Sequence, residues 1–287
     1  MFHLIHQVVV SRQALRRIVI EAVEDFAQQN VNYLELRSTP RELERDGASR
    51  QEYVAEVISA LDECHARTDL DIQVRILLSI NRNQPLALAE ETVAMALEWK
   101  TKSPYVLGID LSGHSERADS EFHRFENVLE SARQQGLKLA IHFAEHFDDD
   151  EAERIMTFRP DRVGHACCLS DAHYEQLMAK RIPIEVCLTS NVHTLARYRK
   201  EGDCGCNAKD TNGLCLCGYR AHPHREVVAL QSSYPLCLCT DDHGVLDTTL
   251  SREERLVAIA RDAIPMIFDD SAKARLELAF NQFQYMY

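Results

Sequence analysis

The chain has 287 residues, of which 45% are hydrophobic, and its formal net charge is −13. This length suits one α/β barrel with a large buried core, and we predict a single domain over residues 1–287. The excess of acidic residues argues against a general nucleic-acid-binding surface. No run of 18 apolar residues occurs, so the sequence predicts no membrane span.

The cysteines and the first 17 residues indicate in which cellular compartment the protein is found. Ten cysteines occur, and in residues 1–17 the basic side chains follow the apolar run instead of preceding it, unlike a secretory signal. Large chains without a signal usually keep their thiols reduced. We therefore predict a cytoplasmic location, and we expect a monomer.

Seven short apolar runs alternate with amphipathic stretches along the chain. Near-continuous apolar runs are typical of buried parallel strands, and the alternation predicts a βα-repeating fold. Capping patterns mark helix starts at Ser11, at Ser49 with Glu52, at Ser251 with Glu254, and at Ser120, whose helix Gly136 is expected to end. The predicted strands are Val31–Arg37, Ile72–Ile80, Val106–Leu111, Leu137–His142, Arg162–His165, Ile182–Leu188 and Pro235–Thr240.

One segment breaks the regular pattern. Arg197–Ala221 is rich in Gly, Asn, Asp and Cys, which predicts a long surface insertion. Its thiols Cys204, Cys206, Cys215 and Cys217 could close a small Cys₄ zinc site. Structural zinc sites favour CxxC over this CxC spacing, so the alternative is a loop with spare thiols.

Polar groups follow nearly every predicted strand, where barrel enzymes collect their chemistry. The blocks are GIDLSG (108–113), HFAE (142–145), RVGH (162–165), EVCLTSNV (185–192) and CTDD (239–242). In this order GIDLSG, HFAE, RVGH and CTDD resemble the signature blocks of the adenosine deaminase superfamily. EVCLTSNV, together with LELRSTPRE (34–42) and FHLIHQ (2–7), is similar to its adenosine deaminase-like branch, which acts on N6-methyl-AMP and related purine monophosphates.

The resemblance implies a TIM (β/α)₈-type barrel of the metallo-dependent hydrolase kind with one catalytic Zn²⁺. It implies that His142 and Asp241 bind the zinc and that Glu145 shuttles a proton to the purine ring nitrogen. His165 is expected to position and stabilise the hydroxide. Asp242 is expected to orient the attacking water and to accept a hydrogen bond from the purine.

The resemblance also implies a set of substrate-binding positions. Arg41 is the expected phosphate partner, because a guanidinium binds phosphate oxygens in pairs. With Asp242, the expected substrate-binding residues are His6, Ser38, Thr39, Pro40, Arg41 and Gly113.

One part of the family pattern is not found at the start of the chain. The family binds zinc with a His-x-His pair at the end of its first strand, and we expect that strand to be missing here. The one HxH is His222-Pro223-His224, far from such a position, and the spacing of His3 and His6 would put them on opposite faces of a strand. Three explanations stay open: an incomplete gene model, a short isoform without catalysis, or a site completed in another way.

The sequence therefore predicts an aminohydrolase that deaminates a purine nucleoside monophosphate. N6-methyl-AMP, converted to IMP and methylamine, is the expected substrate. Two alternatives are an adenosine deaminase and a catalytically inactive nucleotide-binding protein.

Overall fold

A computed structural model describes residues 2–117, 119–195, 222–224, 234–246, 248–250 and 269–274. The chain divides into two compact units, residues 1–114 with 124–139 and residues 115–123 with 140–287. The predicted insertion Arg197–Ala221, with its four thiols, lies outside the described residues. Its zinc site stays a prediction, as does the single domain. The predicted helix start at Ser251 with Glu254 also lies outside the described residues.

The first unit combines parallel strands with helices. Neighbouring strands are consecutive in the sequence: β1 pairs with β2 from Tyr33 opposite Gln73, and β2 pairs with β3. The strands are β1 (Tyr33–Ser38), β2 (Gln73–Asn81) and β3 (Val106–Ser112). The helices are α1 (Phe2–Val8), α2 (Arg12–Gln28), α3 (Arg50–Ala66), α4 (Leu86–Lys102) and α5 (Glu126–Gln134).

Local sequence explains why these elements form. In β2, residues 74–80 are all buried, as expected of a parallel strand covered on both faces. The Ser11 side chain accepts from the main chain of Ala14 and starts α2. Ser49 and Glu52 form the predicted capping box at the start of α3.

Gly108 is required by a close approach of two backbones. A Cβ atom built on Gly108 would lie 2.1 Å from the main-chain oxygen of Lys138. No side chain can occupy that space without moving the backbone, so β3 depends on glycine at this position.

The second unit carries the remaining strands, which are again parallel to their sequence neighbours. The strands are β4 (Lys138–Phe143, in this unit from Ala140), β5 (Arg162–His165), β6 (Ile184–Val186) and β7 (Leu236–Leu238). The helices are a 3-10 turn (Phe122–Arg124), α6 (Asp149–Phe158), α7 (Asp171–Lys180), α8 (Leu188–Leu195) and α9 (His243–Leu246).

Hydrogen bonds from nearby side chains again set where the helices of this unit begin. The side chains of Asp148 and Ser170 accept main-chain hydrogen bonds at the starts of α6 and α7. Inside the sheet, Arg162 and Glu185 form a buried ion pair at 3.1 Å. This pair holds β5 beside β6, because breaking it would leave an uncompensated charge in the core.

All seven predicted strands are confirmed, and no strand end is shifted by more than two residues. The prediction that Ser120 caps a helix is wrong. Its hydroxyl donates to the main-chain oxygens of Ser115 and Arg117, and α5 begins after Phe125 without a side-chain cap. Gly136 follows α5 with φ +82°, as predicted. Within the described residues, we find no helix whose length and apolar content would allow it to cross a membrane.

Candidate active site

The loops after β4, β5 and β7 hold a cluster of left-handed backbone conformations. Ala144, His165, Ala166 and Asp241 have φ between 50° and 63°. Residues other than glycine rarely adopt this conformation, and they persist in it only where the surrounding structure holds them. Such strain concentrates at functional sites, so these strand ends of the second unit are the place to look for chemistry.

The main chain ties two of these loops together. In the β4–β5 pair, Phe143 lies opposite His165. Beyond it, the main-chain oxygen of Ala144 accepts from the amides of Cys167 at 3.2 Å and Cys168 at 2.8 Å. The turns that carry Glu145 and His165 are therefore joined by backbone hydrogen bonds.

Glu145 and His165 face each other across this junction. Glu145 Oε1 lies 3.6 Å from His165 Nε2. The His165 side chain is only 4% exposed, whereas that of Glu145 is 33% exposed. The imidazole is thus held inside the unit, and the carboxyl group remains open to a molecule entering from solvent. The ring of His142 lies 5.1 Å from that of His165, centroid to centroid.

Two adjacent carboxyl groups follow β7. The Ser190 hydroxyl donates to Asp241 Oδ2 at 2.7 Å. Burial, together with the neighbouring Asp241 carboxylate, raises the pKa of Asp242 to about 6. A carboxyl group with a pKa near neutrality can both accept and return a proton at physiological pH.

The far side of His165 contacts a buried polar chain. Asn191 Nδ2 lies 2.9 Å from His165 Nδ1, and Asn191 Oδ1 lies 3.2 Å from His222 Nε2. His224 donates from Nε2 to the main-chain oxygen of His165 at 2.7 Å. Burial lowers the pKa of His224 to about 4, so this imidazole is neutral. The HxH sequence 222–224 therefore packs behind His165.

In the first unit, side chains of α3 hold the loop that follows β1. Buried Arg50 donates from Nε to the main-chain oxygen of Pro40 at 3.1 Å. Ser38 Oγ and Tyr53 OH lie 2.8 Å apart, and burial raises the pKa of Tyr53. Thr39 lies between the two anchored positions and is partly buried.

Arg41 holds the start of the chain against this loop. Its Nη2 donates to the main-chain oxygen of Val9 at 2.6 Å, and its Nη1 to that of His6 at 3.4 Å. Arg41 is therefore partly committed to main-chain carbonyls, and the His6 side chain is exposed. A guanidinium has five N–H donors, so these two bonds do not exhaust Arg41.

Gly113, after β3, is held in a conformation that favours glycine. Its φ is +106°, and a Cβ atom there would lie 2.5 Å from Asn81 Oδ1. Asn83 fixes the next residue by exchanging two hydrogen bonds of 2.7 Å with the main chain of His114. The backbone at Gly113 is thus rigid and lacks a side chain.

Known proteins are similar to this chain in sequence and in fold. The family described as "Adenosine deaminase" matches residues 1–203. The chain belongs to the adenosine deaminase family. A relative from Arabidopsis thaliana named "N6-mAMP deaminase" is 33% identical over 98% of this chain and 81% of its own length.

Solved structures give the same result. Crystal structures of Arabidopsis ADAL complexed with GMP and with IMP superpose with TM-scores of 0.82 and 0.81. Each is 34% identical and covers 98% of this chain and 81% of its own. These similarities confirm the predicted α/β fold class of the (β/α)₈-barrel kind. As a member of the adenosine deaminase family, the protein is a hydrolase acting on C–N bonds.

The adenosine deaminase family is metal-dependent, and donor atoms that suit a metal ion meet in the second unit. Ligand atoms of His165, Cys187 and Asp241 all lie within 4.8 Å of one another. The Asp241 carboxylate also has the outer hydrogen bond, from Ser190, that ligating groups commonly receive. Nitrogen, carboxylate oxygen and sulfur donors together suit zinc, so the Asp241 carboxylate fits the metal that the sequence predicted, while His165 Nδ1 already faces the Asn191 amide.

The sequence analysis assigned no role to Cys187, whose sulfur lies close to Asp241 and His165. It is buried, and a hydrogen bond with Cys239 and burial raise its pKa well above the ordinary value. Its position at the end of β6, in line with the other polar strand ends, was the available signal.

Asn191 and His222 were also assigned no role by the sequence. Asn191 was visible inside the block EVCLTSNV, and His222 inside the HxH sequence, but nothing in the spacing placed either against His165. The structure does bring together Glu145, His165, Asp241 and Asp242 with His142, as a set of strand-end groups in the second unit. The substrate-binding candidates, except Asp242, belong to the first unit.

Proposed function

We propose that this protein hydrolyses N6-methyl-AMP to IMP and methylamine, with zinc as the metal. The observation that carries the proposal is the convergence of Glu145, His165 and the Asp241–Asp242 pair at neighbouring strand ends. The name of the Arabidopsis relative and the nucleotides bound to Arabidopsis ADAL support a purine monophosphate as substrate.

His142 and Asp241 would hold the zinc ion, with His165 and Cys187 close to Asp241. Zinc, when bound, supplies the acidity that makes hydroxide available near pH 7. All other steps belong to side chains of this protein.

Glu145 is the proton carrier in this proposal. Its partly exposed carboxyl group can reach a purine ring and place a proton on the nitrogen beside the attacked carbon. Protonation there makes the neighbouring carbon more electrophilic. The new C–O bond then makes this carbon tetrahedral, which ends the aromaticity of the ring, and the C–N bond to methylamine breaks. One proton of the attacking water leaves with methylamine, and the other replaces the proton that Glu145 gave to the ring.

His165 and Asp242 orient the nucleophile. His165 Nε2 points toward Glu145 and can donate a hydrogen bond to the attacking oxygen. Asp242, with its pKa raised to about 6, can accept a proton from the attacking water. Together they fix the direction from which oxygen approaches the ring.

The nucleotide is assigned to residues of the first unit. Arg41 would bind the phosphate with the donors left over from its two carbonyl bonds, and Ser38 and Thr39 would flank it. Pro40 shapes that loop, the exposed His6 would contact the ribose side, and the bare backbone of Gly113 would approach the base. A cytoplasmic location and a monomeric state stay predictions.

One experiment tests the proposal. Purified protein loaded with one equivalent of zinc is given N6-methyl-AMP, AMP or adenosine, and released amine and the purine product are quantified. We expect methylamine and IMP in equal amounts, with N6-methyl-AMP preferred. Preference for adenosine would favour the nucleoside deaminase instead, and nucleotide binding without turnover would favour a non-catalytic protein.

A further inference from the structure

A chain of buried hydrogen bonds behind His165 has a fixed direction. It starts at the main-chain N–H of His224, which lies 3.2 Å from His222 Nδ1. A backbone amide can only donate, so His222 Nδ1 must accept and carries no proton. A neutral imidazole bears one proton, which places it on His222 Nε2.

The same order of donor and acceptor continues at Asn191. His222 Nε2–H donates to Asn191 Oδ1 at 3.2 Å, which fixes the orientation of the amide. Asn191 Nδ2, which can only donate, then faces His165 Nδ1 at 2.9 Å. His165 Nδ1 must accept, and the single proton of neutral His165 therefore sits on Nε2, toward Glu145.

We propose that Asn191 and His222 are positioning residues that lock neutral His165 in its Nε2–H tautomer, so that it meets the reacting oxygen as a hydrogen-bond donor. The proposal rests on the function proposed above and names how one residue of that site is set. In the locked state His165 stabilises the nucleophile, and it has no free lone pair at Nε2 with which to act as a base.

Burial makes the lock effective. Asn191 is 2% exposed, and His165 and His222 are each 3% exposed, so water does not compete for these groups. The His165 backbone is held as well, because its main-chain oxygen accepts from His224 Nε2 at 2.7 Å and from the Cys167 thiol at 3.3 Å. Ring and backbone are thus fixed together, which leaves the tautomer as the property that Asn191 decides.

Asn191→Asp is the sharpest test, because it keeps the shape and removes the donor. An Asp carboxylate only accepts, so His165 Nδ1 must carry a proton in the variant, whether the imidazole is neutral or charged. Thr194→Val is the matched control on the same helix α8: the Thr194 hydroxyl donates to the main-chain oxygens of Ser190 and Asn191, not to the Asn191 side chain that faces His165.

The readout is the protonation of the two His165 ring nitrogens. Long-range ¹H–¹⁵N spectra of protein with ¹⁵N-labelled histidine are recorded at pH 8, above the ordinary imidazole pKa of about 6.5. We expect an unprotonated Nδ1 in the wild type and in Thr194→Val, and a protonated Nδ1 in Asn191→Asp. A protonated Nδ1 in the wild type, or an unprotonated one in Asn191→Asp, overturns the proposal.

Kinetics provide a second measurement. Asn191→Asp and His222→Leu should lower kcat about 10- to 100-fold with KM little changed, as for other residues that orient a ligating or catalytic histidine. His222→Gln keeps an amide donor for Asn191 Oδ1 and should recover most of the rate. Loss of kcat in His222→Gln equal to that in His222→Leu would contradict the polarity argument. The spectra do not depend on turnover, so an inactive wild type would sink the proposed function and leave this inference standing.

Discussion

Glu145 Oε1 and His165 Nε2 lie 3.6 Å apart although the two residues follow different strands. The parallel register of β4 and β5, with Phe143 opposite His165, places them side by side. A carboxyl group and an imidazole at this distance form an acid and a hydrogen-bond donor that can act on adjacent atoms of one ring.

Glu145→Gln should remove the proton carrier and little else. We expect kcat for N6-methyl-AMP to fall about 10²- to 10⁴-fold, the usual contribution of a positioned acid or base. Zinc content and thermal stability should stay at wild-type levels. Glu153→Gln, an exposed change on α6, serves as the control. A loss of less than tenfold in Glu145→Gln would remove Glu145 from the mechanism.

Ser190→Ala should weaken zinc binding. The Ser190 hydroxyl donates to Asp241 Oδ2 at 2.7 Å and so orients the carboxylate that would bind the metal. Loss of such an outer hydrogen bond typically costs about 10- to 100-fold in metal affinity. Competition with a chromogenic chelator measures the change, and Asp241→Asn should reduce binding further. Unaltered zinc affinity in both variants would show that Asp241 is not a ligand.

Arg41→Ala should discriminate between nucleotide and nucleoside. A charge-assisted bond to phosphate is worth about 1.5–3 kcal/mol, so KM for N6-methyl-AMP should rise about tenfold or more relative to KM for N6-methyladenosine. Arg45→Ala, at an exposed position nearby, is the control. Equal increases for both substrates would mean that Arg41 serves only to hold Val9 and His6.

Gly108→Ala should destabilise the protein. The added methyl carbon would lie 2.1 Å from the main-chain oxygen of Lys138, so the backbone must move. Overpacking of this kind costs about 1–3 kcal/mol in the free energy of unfolding, measurable by urea titration. Gly244→Ala meets nothing within 4 Å and should not destabilise. A Gly108→Ala protein as stable as the wild type would contradict the described approach of the two backbones.

His224 should make stability depend on pH. Burial lowers its folded-state pKa to about 4, below the ordinary 6.5, so the unfolded chain binds a proton that the folded one refuses. The contribution of His224 to the free energy of unfolding is complete above pH 6.5. It is lost as the pH falls toward 4, which lowers the free energy of unfolding by about 3 kcal/mol.

His224→Phe should flatten that dependence. The phenyl ring can keep the stacking on Tyr174 but does not titrate. Urea titrations at pH 7 and pH 5 measure the difference between wild type and variant. An equally steep loss of stability in both proteins on acidification would assign the pH dependence to other groups.

The strands and the positions of the polar groups at their ends were predictable from the sequence, because both depend on local pattern. Buried parallel strands leave continuous apolar runs, as in β2, and family blocks such as HFAE mark where they end. The cap at Ser120 failed because a serine hydroxyl has several main-chain acceptors within reach. In this loop it bonds backward to Ser115 and Arg117.

The groups behind the site were not predictable in the same way. Cys187, Asn191 and His222 acquire their roles from neighbours that are distant in sequence: Asn191 lies 26 residues from His165, and His222 lies 31 residues from Asn191. Residue spacing says nothing about which side chain will face the buried nitrogen of His165. Only the pairing of β5 with β6, and the position of residues 222–224 against them, decides it.

The carbonyl oxygen of Ala144 affects which substitutions this enzyme can accept near its candidate active site. The Ala144 carbonyl accepts from two consecutive amides, those of Cys167 and Cys168, so these bonds between the loops of the acid and the imidazole are made by main chain. An exchange of the Cys168 side chain would leave both bonds in place, whereas an exchange at Cys167 would also remove its thiol bond to the His165 carbonyl. A proline at either position would remove one of the two amides and would let the acid and the imidazole drift apart.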